Sequence, residues 1–574
     1  MTHRPFVYTY PQSGEDVQRE REEAKQWLDS VSPSMCLAKW LHTSIHLTNG
    51  RTHSCYHPPT HTISVDQIKK NPSALHNTDQ KKRERAEMIA GSRPDGCNYC
   101  WSIEDAPSAP AGGHRSDRHY RSSEHWAKNY KDNVIVTGAD GDINPTYVEV
   151  NFNQACNFKC AYCSPHLSTA WQQEIEKFGP YPTSTPHNSI DALADANWMP
   201  MQVANKDNPY VEAFWQWWPE LYNTLLTFRM TGGEPLMDKN TFKVLDYVAD
   251  NPKGDLEISV TSNMCPPDPK LMDKFINSLK RIQDYETTAT LVALQQPDPN
   301  HETWPRYVVD KDSHSSDTLY RLHLMDTPGI ASSELDWYDT ATGQKTKETG
   351  SFTYTLTDTK ACRNVGVYIS VDGYGKQAEY IRNGLHYDTL VENTKRVLYE
   401  THFTTVRFIN TFNLLSVPSF KKWLGQVLEL RQWVNSLKEI PEKNTKYNNY
   451  WDRQRVWFDI PTLRNPEWMS IKLLPKSQHY MLHSALEFME QNSVDVHGEL
   501  VGFQHFEIDK LKRNIGWLES QTDDSYNKEL VMRDFYAFFK EHDRRRGTNF
   551  ALTFPEYKNF WKQCEHIHYV KRIQ

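Results

Sequence analysis

With 574 residues the chain is long enough for about three or four domains of ordinary size, or one large core with insertions, and a small stapled scaffold is excluded. Its 38% hydrophobic and 24% charged residues describe a globular chain and exclude wholesale disorder. A formal charge of -8, from 65 Lys and Arg against 73 Asp and Glu, provides no overall basic field, so nucleic acid is not an expected partner. No run approaches the roughly 18 apolar residues that span a bilayer, and the opening MTHRPFVYTYPQ lacks a signal-peptide pattern, so a soluble, cytoplasmic protein without a membrane partner is expected. Ten cysteines are too sparse for a secreted disulfide framework, so their spacing decides their use.

In chain order, the segment Cys36-Leu-Ala-Lys-Trp-Leu-His42 comes first, then Asn49-Gly50 between strand-like runs, a hairpin signal, then Cys55. After a helical stretch comes Cys97-Asn-Tyr-Cys100. Four cysteines on a hairpin and a CxxC suit an iron-sulfur cluster or a zinc ion, and the spacing leaves both open. His42, His46, His53, His57 and His61 crowd the hairpin and are expected as surface imidazoles rather than ligands. The basic stretches Lys81 to Arg93 and Arg544 to Arg546 contain or adjoin acidic residues and read as solvated helix faces. Ala106 to Gly113 is linker-like.

Tyr147 to Phe152 is an apolar, β-branched run, followed by Cys156-Asn-Phe-Lys-Cys160-Ala-Tyr-Cys163. Three thiolates from one loop can hold a 4Fe-4S cluster with one iron open to another ligand, or a zinc ion that takes a fourth ligand from elsewhere. Ser164 to Asn223 is longer than a simple crossover, and its Phe214-Trp-Gln-Trp-Trp218 is expected to be a core-packing helix. Leu225 to Thr231 predicts a strand ending in Gly232-Gly233-Glu234-Pro235, and a helix follows with Phe242, Val244, Leu245 and Val248 as its apolar stripe. Glycines at a strand's carboxyl end let the backbone approach a ligand closely.

The CxxxCxxC and the Gly-Gly-Glu-Pro, in this order and each at a strand-to-helix junction, closely resemble the radical S-adenosylmethionine (SAM) superfamily. The resemblance implies that Cys156, Cys160 and Cys163 bind a 4Fe-4S cluster whose open iron takes the amino and carboxylate groups of SAM. It also implies that Tyr162 lies near the adenine and that Gly232, Gly233, Glu234 and Pro235 form the turn at the methionine amino group. Leu256 to Val260, ending in Thr261-Ser262-Asn263, is similar to the family's third strand, with Met264 in place of a glycine. Val367 to Ser370, with Asp372, resembles the fourth. Glu379-Tyr-Ile-Arg382 opens an expected helix to Leu398, and Arg382 is expected to pair with the SAM carboxylate. Val406 to Leu415, containing Asn413, and Met469 to Leu474 are the expected fifth and sixth strands. The implied fold class is α/β, a partial (β/α)6 barrel with ligands at the strands' carboxyl ends.

The N-terminal layout resembles the auxiliary-cluster "twitch" module of a subgroup of that superfamily, with Cys36, Cys55, Cys97 and Cys100 as ligands of a second Fe-S cluster, expected to be 4Fe-4S, and Ser116-Asp-Arg118 as a matching Ser-x-Arg. Lys39 stands where the subgroup often has Pro. Asp543-Arg-Arg-Arg-Gly547 resembles the ending of such proteins. The expected organisation is an auxiliary module over 1-125, barrel segments over 126-284 and 361-485, a β-rich insertion over 285-360 with turns such as Thr342-Gly343, and a helical extension over 486-574. The expected function is reductive cleavage of SAM to a 5'-deoxyadenosyl radical that abstracts hydrogen from a peptide or protein side chain, with a flavodoxin or ferredoxin as electron donor. A small-molecule dehydrogenation or rearrangement, or a non-catalytic zinc or Fe-S scaffold, is the alternative. Cys265 follows the third strand; it is a candidate hydrogen donor or cluster ligand, against the preferred reading of a buried packing residue.

Overall fold

A computed structural model of the chain describes residues 14-106, 115-201, 207-283, 285-292, 307-310, 319-320, 351-359, 361-401, 404-437, 454-520 and 527-570. Most of the linker-like stretch Ala106 to Gly113 and the turn Thr342-Gly343 lie outside them. The fold is α/β with a large mixed sheet, and the chain divides into two compact units. One holds Met1–Gln154, Pro200–Gly232 and Asp255–Ser259; the other holds Ala155–Met199, Gly233–Gly254 and Val260–Gln574. No helix among the described residues is long and apolar enough to cross a membrane.

In the first unit, strand His42–His46 turns through Asn49-Gly50 into strand Arg51–His53, which pairs with it antiparallel and then with His61–Thr62. Gly50 has a φ of +64°, and a Cβ there would lie 2.0 Å from the Tyr210 ring, so only glycine serves at this turn. His42–His46 runs parallel to Tyr147–Asn151, which runs parallel to Thr227–Thr231. Helix Pro209–Thr224 starts with a proline at its first turn, and Asn208 Oδ1 accepts the Tyr210 N–H at 2.9 Å as the helix cap. Its Phe214, Trp217 and Trp218 are buried, and the Trp218 ring stands edge-on to Phe228 of the Thr227 strand at 5.0 Å. This aromatic run is core packing.

Two expectations fail in this unit. Lys81 and Arg85 of helix Asp79–Ile89 are not solvated but fully buried. Lys81 Nζ donates to Thr43 Oγ1 at 2.7 Å and Thr52 Oγ1 at 3.1 Å, and the Arg85 guanidinium donates to Asn77 Oδ1 at 3.1 Å, so hydroxyl and amide oxygens replace water. The hairpin histidines are not surface imidazoles either. His42 is fully buried against Tyr147 and Tyr56, with ring centroids at 4.2 and 4.8 Å, and the other four are half-buried.

In the second unit, strands Cys362–Ser370, Thr404–Ile409 and Val456–Asp459 pair in parallel, separated in sequence by helices Gly375–Ile381, Tyr387–Glu400 and Val417–Ser436. Strand Lys253–Ser262 gives residues to both units, and helices Lys239–Asp250 and Pro269–Gln283 flank it in sequence. Within 285-360 the strands Tyr285–Val292, Tyr307–Asp310, Leu319–Tyr320 and Ser351–Thr359 form a separate antiparallel sheet.

Two elements differ from expectation here. Met469 to Leu474 is no strand but a pair of 3-10 turns, Glu467–Met469 and Ile471–Leu473. Pro466 and Pro475 bracket the segment and Ser470 Oγ accepts the Lys472 N–H at 3.3 Å, local bonding that favours turns over a ladder; the third parallel strand is Val456–Asp459. The helix expected from Glu379 to Leu398 is broken. Arg382–Asn383 leaves it to pair antiparallel with Lys159–Cys160, and Gly384 follows with a φ of +109°. A Cβ on Gly384 would lie 2.8 Å from Phe158 Cδ1 and 3.0 Å from Asn157 O, so glycine is what lets the cysteine loop come this close.

Candidate functional site

The loop carrying Cys156, Cys160 and Cys163 is fixed by its own sequence. Phe158 is buried as an anchor, Ser168 Oγ donates to its carbonyl at 2.8 Å, and Trp171 Nε1 donates to the Cys160 carbonyl at 2.8 Å. The Phe158 N–H points at Cys156 Sγ at 3.4 Å, and Cys163 N–H closes a turn onto the Cys160 carbonyl at 2.9 Å. Burial and then the neighbouring Cys160 push the Cys156 thiol up to about 12. Burial likewise raises Cys163, with Cys160 and Cys156 adding to it, and raises Cys160 against the pull of Arg382. Three thiols that oppose one another's ionisation in this way are a site that a cation relieves.

Around the loop, Arg382 reaches back from the broken helix. Its Nη1 donates to Cys160 Sγ at 3.4 Å and its Nε lies 2.7 Å from Asp372 Oδ2; Nη2 also meets the Tyr162 hydroxyl. Tyr162 donates to Asp372 at 2.8 Å, and the Thr411 N–H donates to the same carboxylate at 2.8 Å. Burial opposes the charge on Arg382, but Asp372 holds the guanidinium well above its ordinary range. Tyr162, Asp372 and Arg382, expected as cofactor contacts, are therefore brought together beside Cys160. Arg382 spends its charge on Asp372 here.

Glu234 is almost wholly buried, and its carboxylate accepts from Asn263 N at 2.7 Å, Ser262 Oγ at 2.9 Å and Leu236 N at 3.0 Å. Burial pushes it up to about 7 against those hydrogen bonds. It ties the Gly-Gly-Glu-Pro turn to the end of the Lys253 strand, and Pro235 opens the short 3-10 turn Pro235–Met237. Gly232 sits at φ +123°, where a Cβ would strike Asn151 Oδ1 at 2.4 Å; Gly233 continues the same bend. Asn263 donates to Asn157 Oδ1 at 2.9 Å and accepts from Cys265 N at 2.8 Å. Met264 takes the left-handed conformation, φ +56°. Thr261 and Ser370 stand half-buried at the carboxyl ends of their strands. Asn413 is not part of the network: its amide accepts from Leu415 N at 2.9 Å and donates to Thr411 O at 2.7 Å, capping a 3-10 turn. Cys265 is buried, donates to the His386 carbonyl at 3.5 Å, and is pushed up to about 11 by burial.

Sequence reading missed several supports. Asn157, inside the cysteine motif, donates to the Cys265 carbonyl at 2.8 Å. The C-terminal arginines, expected as a solvated face, include Arg546, whose side chain is 1% exposed and donates to the Lys159 carbonyl at 2.8 Å while pairing with Glu174 at 3.2 Å. Burial alone would raise Glu174, but Arg546, with Lys159 and Tyr181, brings it down to about 2. The signal available was the Arg-Arg-Arg next to a helix-ending Gly547, which the local acidic residues masked.

In the first unit, Cys36, Cys55, Cys97 and Cys100 line one small cavity, together with Lys39, His57, Trp101, Asp117 and Arg118. Burial raises the Cys36 thiol, and Cys100, Cys55 and Cys97 raise it further. Burial pushes Cys100 up to about 11, and Asp117 and Arg118 of the Ser-x-Arg line this cavity. Lys39 is buried and paired with Glu84, and it lines the same cavity as Cys97. Comparison with family models, curated proteins and solved structures finds no match.

Proposed function

We propose that the chain is a radical SAM enzyme built on a partial (β/α)6 barrel, with an iron-sulfur centre at Cys156, Cys160 and Cys163 and a second at Cys36, Cys55, Cys97 and Cys100. The observation that carries this reading is the buried network joining Cys160, Tyr162, Arg382 and Asp372, because it fixes the cysteine loop against the carboxyl end of a parallel strand. The donor set fits: three thiols from one loop, with Cys160 opposing the ionisation of Cys156 and Cys163, and a cationic donor on Cys160. A bound cluster with SAM supplies a one-electron cleavage that yields a 5'-deoxyadenosyl radical.

The chain's own residues bind, orient and exclude water. Cys156, Cys160 and Cys163 would give up their protons to hold the cluster, and Arg382, which donates to Cys160 Sγ, would stabilise negative charge there. Tyr162 and Asp372 hold the guanidinium plane. Gly232 lets the turn at the strand end pack against Asn151, and Glu234 keeps that turn attached to Asn263. Phe158 and Trp171 seal the loop from beneath. A peptide or protein side chain is the first substrate class to try, with a small flavin or iron-sulfur protein as electron donor.

Anaerobic purification, reconstitution with iron and sulfide, and incubation with SAM and dithionite test the reading, with 5'-deoxyadenosine as the product measured. A colourless protein that holds zinc and no iron refutes it.

A further inference from the structure

Beside the four thiols stands a second arrangement of ligands. Among the described residues, one set of three His, Cys, Asp or Glu donors has all its ligand atoms within 4.8 Å of one another, and it is Cys55, His57 and Asp117. A tetrahedral ion with sulfur, nitrogen and oxygen ligands at 2.0 to 2.3 Å has ligand-ligand edges of about 3.3 to 3.8 Å. The observed set is near that size before any adjustment.

The three side chains are held in place by unrelated parts of the first unit. Cys55 follows the second hairpin strand and occupies the left-handed region at φ +60°, a conformation that a non-glycine residue rarely adopts. The His57 imidazole lies stacked on Tyr99, with centroids 3.6 Å apart and planes within 9°, and one of its nitrogens, Nε2, is 2.8 Å from Asp117 Oδ2. Asp117 opens helix Asp117–Ser123, whose start Ser116 caps. His57 and Asp117 are about a quarter exposed, so an ion can reach them from solvent, and with Cys55 they line the same cavity as Cys36, Cys97 and Cys100.

We propose that Cys55, His57 and Asp117 bind a single divalent ion of the zinc and ferrous class. Thiolate, imidazole and carboxylate together select that class, since magnesium and calcium take oxygen ligands. Binding forms a metal-sulfur bond and breaks the Cys55 S–H bond, releasing one proton to solvent; the imidazole binds neutral and the carboxylate enters as an anion. With three protein ligands the ion keeps one position for water or a fourth thiolate. Because Cys55 belongs to both sets, a lone ion here and a four-thiolate cluster exclude each other, and the N-terminal module has two alternative metal states.

The test uses the full chain, purified without oxygen and stripped of iron, carrying Cys156→Ala, Cys160→Ala and Cys163→Ala so that the other loop is silent. Cobalt(II) is the probe, since its visible bands and sulfur-to-cobalt charge transfer report coordination and thiolate number. One cobalt per chain is expected. Adding His57→Ala or the nearly isosteric Asp117→Asn weakens uptake by at least about tenfold. Adding Cys36→Ser, Cys97→Ser and Cys100→Ser leaves one cobalt with the charge-transfer intensity of a single thiolate. Unchanged affinity in both the His57 and Asp117 variants, or no cobalt bound by the parent, overturns the proposal. Iron content and SAM cleavage of the unsubstituted chain are read separately, so this site and the radical SAM reading fail independently.

Discussion

Gly384 offers the sharpest test of how the cysteine loop is held. Its φ of +109° is a region that side chains rarely adopt, and a Cβ would sit 2.8 Å from the Phe158 ring and 3.0 Å from a backbone oxygen of Asn157. The backbone conformation costs an alanine about 1 to 3 kcal/mol, and forcing a methyl into packed surroundings costs about 1 to 3 kcal/mol more. The oxygen cannot rotate away. A total of about 2 to 6 kcal/mol is comparable with the stability of a whole domain, so the local contact gives way first, separating Arg382–Asn383 from Lys159–Cys160. Gly375 is the control: its φ is +55° and nothing lies within 4 Å of the added Cβ, so alanine there meets only the backbone cost. Under the proposed function, Gly384→Ala lowers reconstituted iron from about eight to about four per chain and abolishes 5'-deoxyadenosine formation, while Gly375→Ala keeps both. Equal iron and equal SAM cleavage in the two variants would refute the claim that this close approach holds the loop.

Replacing Cys156, Cys160 and Cys163 together with Ala removes SAM cleavage and leaves about four irons, from a second 4Fe-4S cluster, by iron analysis; retained 5'-deoxyadenosine sinks the assignment. Glu174, held down to about 2, has a depressed folded value, so its stabilisation is full above about pH 4.5 and is lost as pH falls toward 2, about 3 kcal/mol in all. Urea midpoints against pH should show this loss, and Arg546→Met should flatten it while lowering the midpoint throughout. Glu234 has the opposite sign: raised to about 7, it makes folding less favourable as pH rises from about 4.5 to 7, by up to about 3 kcal/mol. Glu234→Gln should remove that slope, and an unchanged slope refutes the burial argument. Cys265→Ser keeps iron content and SAM cleavage if Cys265 only packs; product lost while 5'-deoxyadenosine still forms would make it catalytic.

Local pattern located the strands Tyr147–Asn151, Thr227–Thr231 and Lys253–Ser262 to within about three residues, because each is a run ended by Gly or Asn; it found only the Val367 end of Cys362–Ser370, and it carried the fifth strand too far, since Thr404–Ile409 stops before the expected Leu415 and Leu414–Ser416 is a 3-10 turn. It failed at Met469 to Leu474, where the run was apolar but two prolines and a serine made turns cheaper than a ladder. It failed again at Arg382, since nothing within the helical stretch reveals that a distant loop will occupy the space of a Cβ on Gly384. The cysteine groups were legible by spacing. Their supports were not, because Asn157, Glu174, Thr411 and Arg546 act through contacts that are distant in sequence.

Lys39 and Met264 show how departures from a familiar pattern become informative once the surroundings are known. Met264 holds a φ of +56° without the freedom of glycine; its N–H donates to Ser262 Oγ at 2.9 Å and its carbonyl accepts from Asn393 at 2.8 Å, so hydrogen bonds on both sides retain a turn that costs about 1 to 2 kcal/mol. The backbone path is the constrained feature, and the residue type is secondary. At Lys39 the reverse holds. A proline there would set only the chain direction, whereas lysine places a buried ammonium, balanced by Glu84, against Cys97. Burying that charge is costly unless an anion needs it. Under the proposed function, the four thiols, each raised by burial, ionise together when a metal centre joins them, and the ammonium then faces a net negative centre. On that reading Lys39 serves the metal-bound state of this module, while its pairing with Glu84 offsets its burial in the metal-free one.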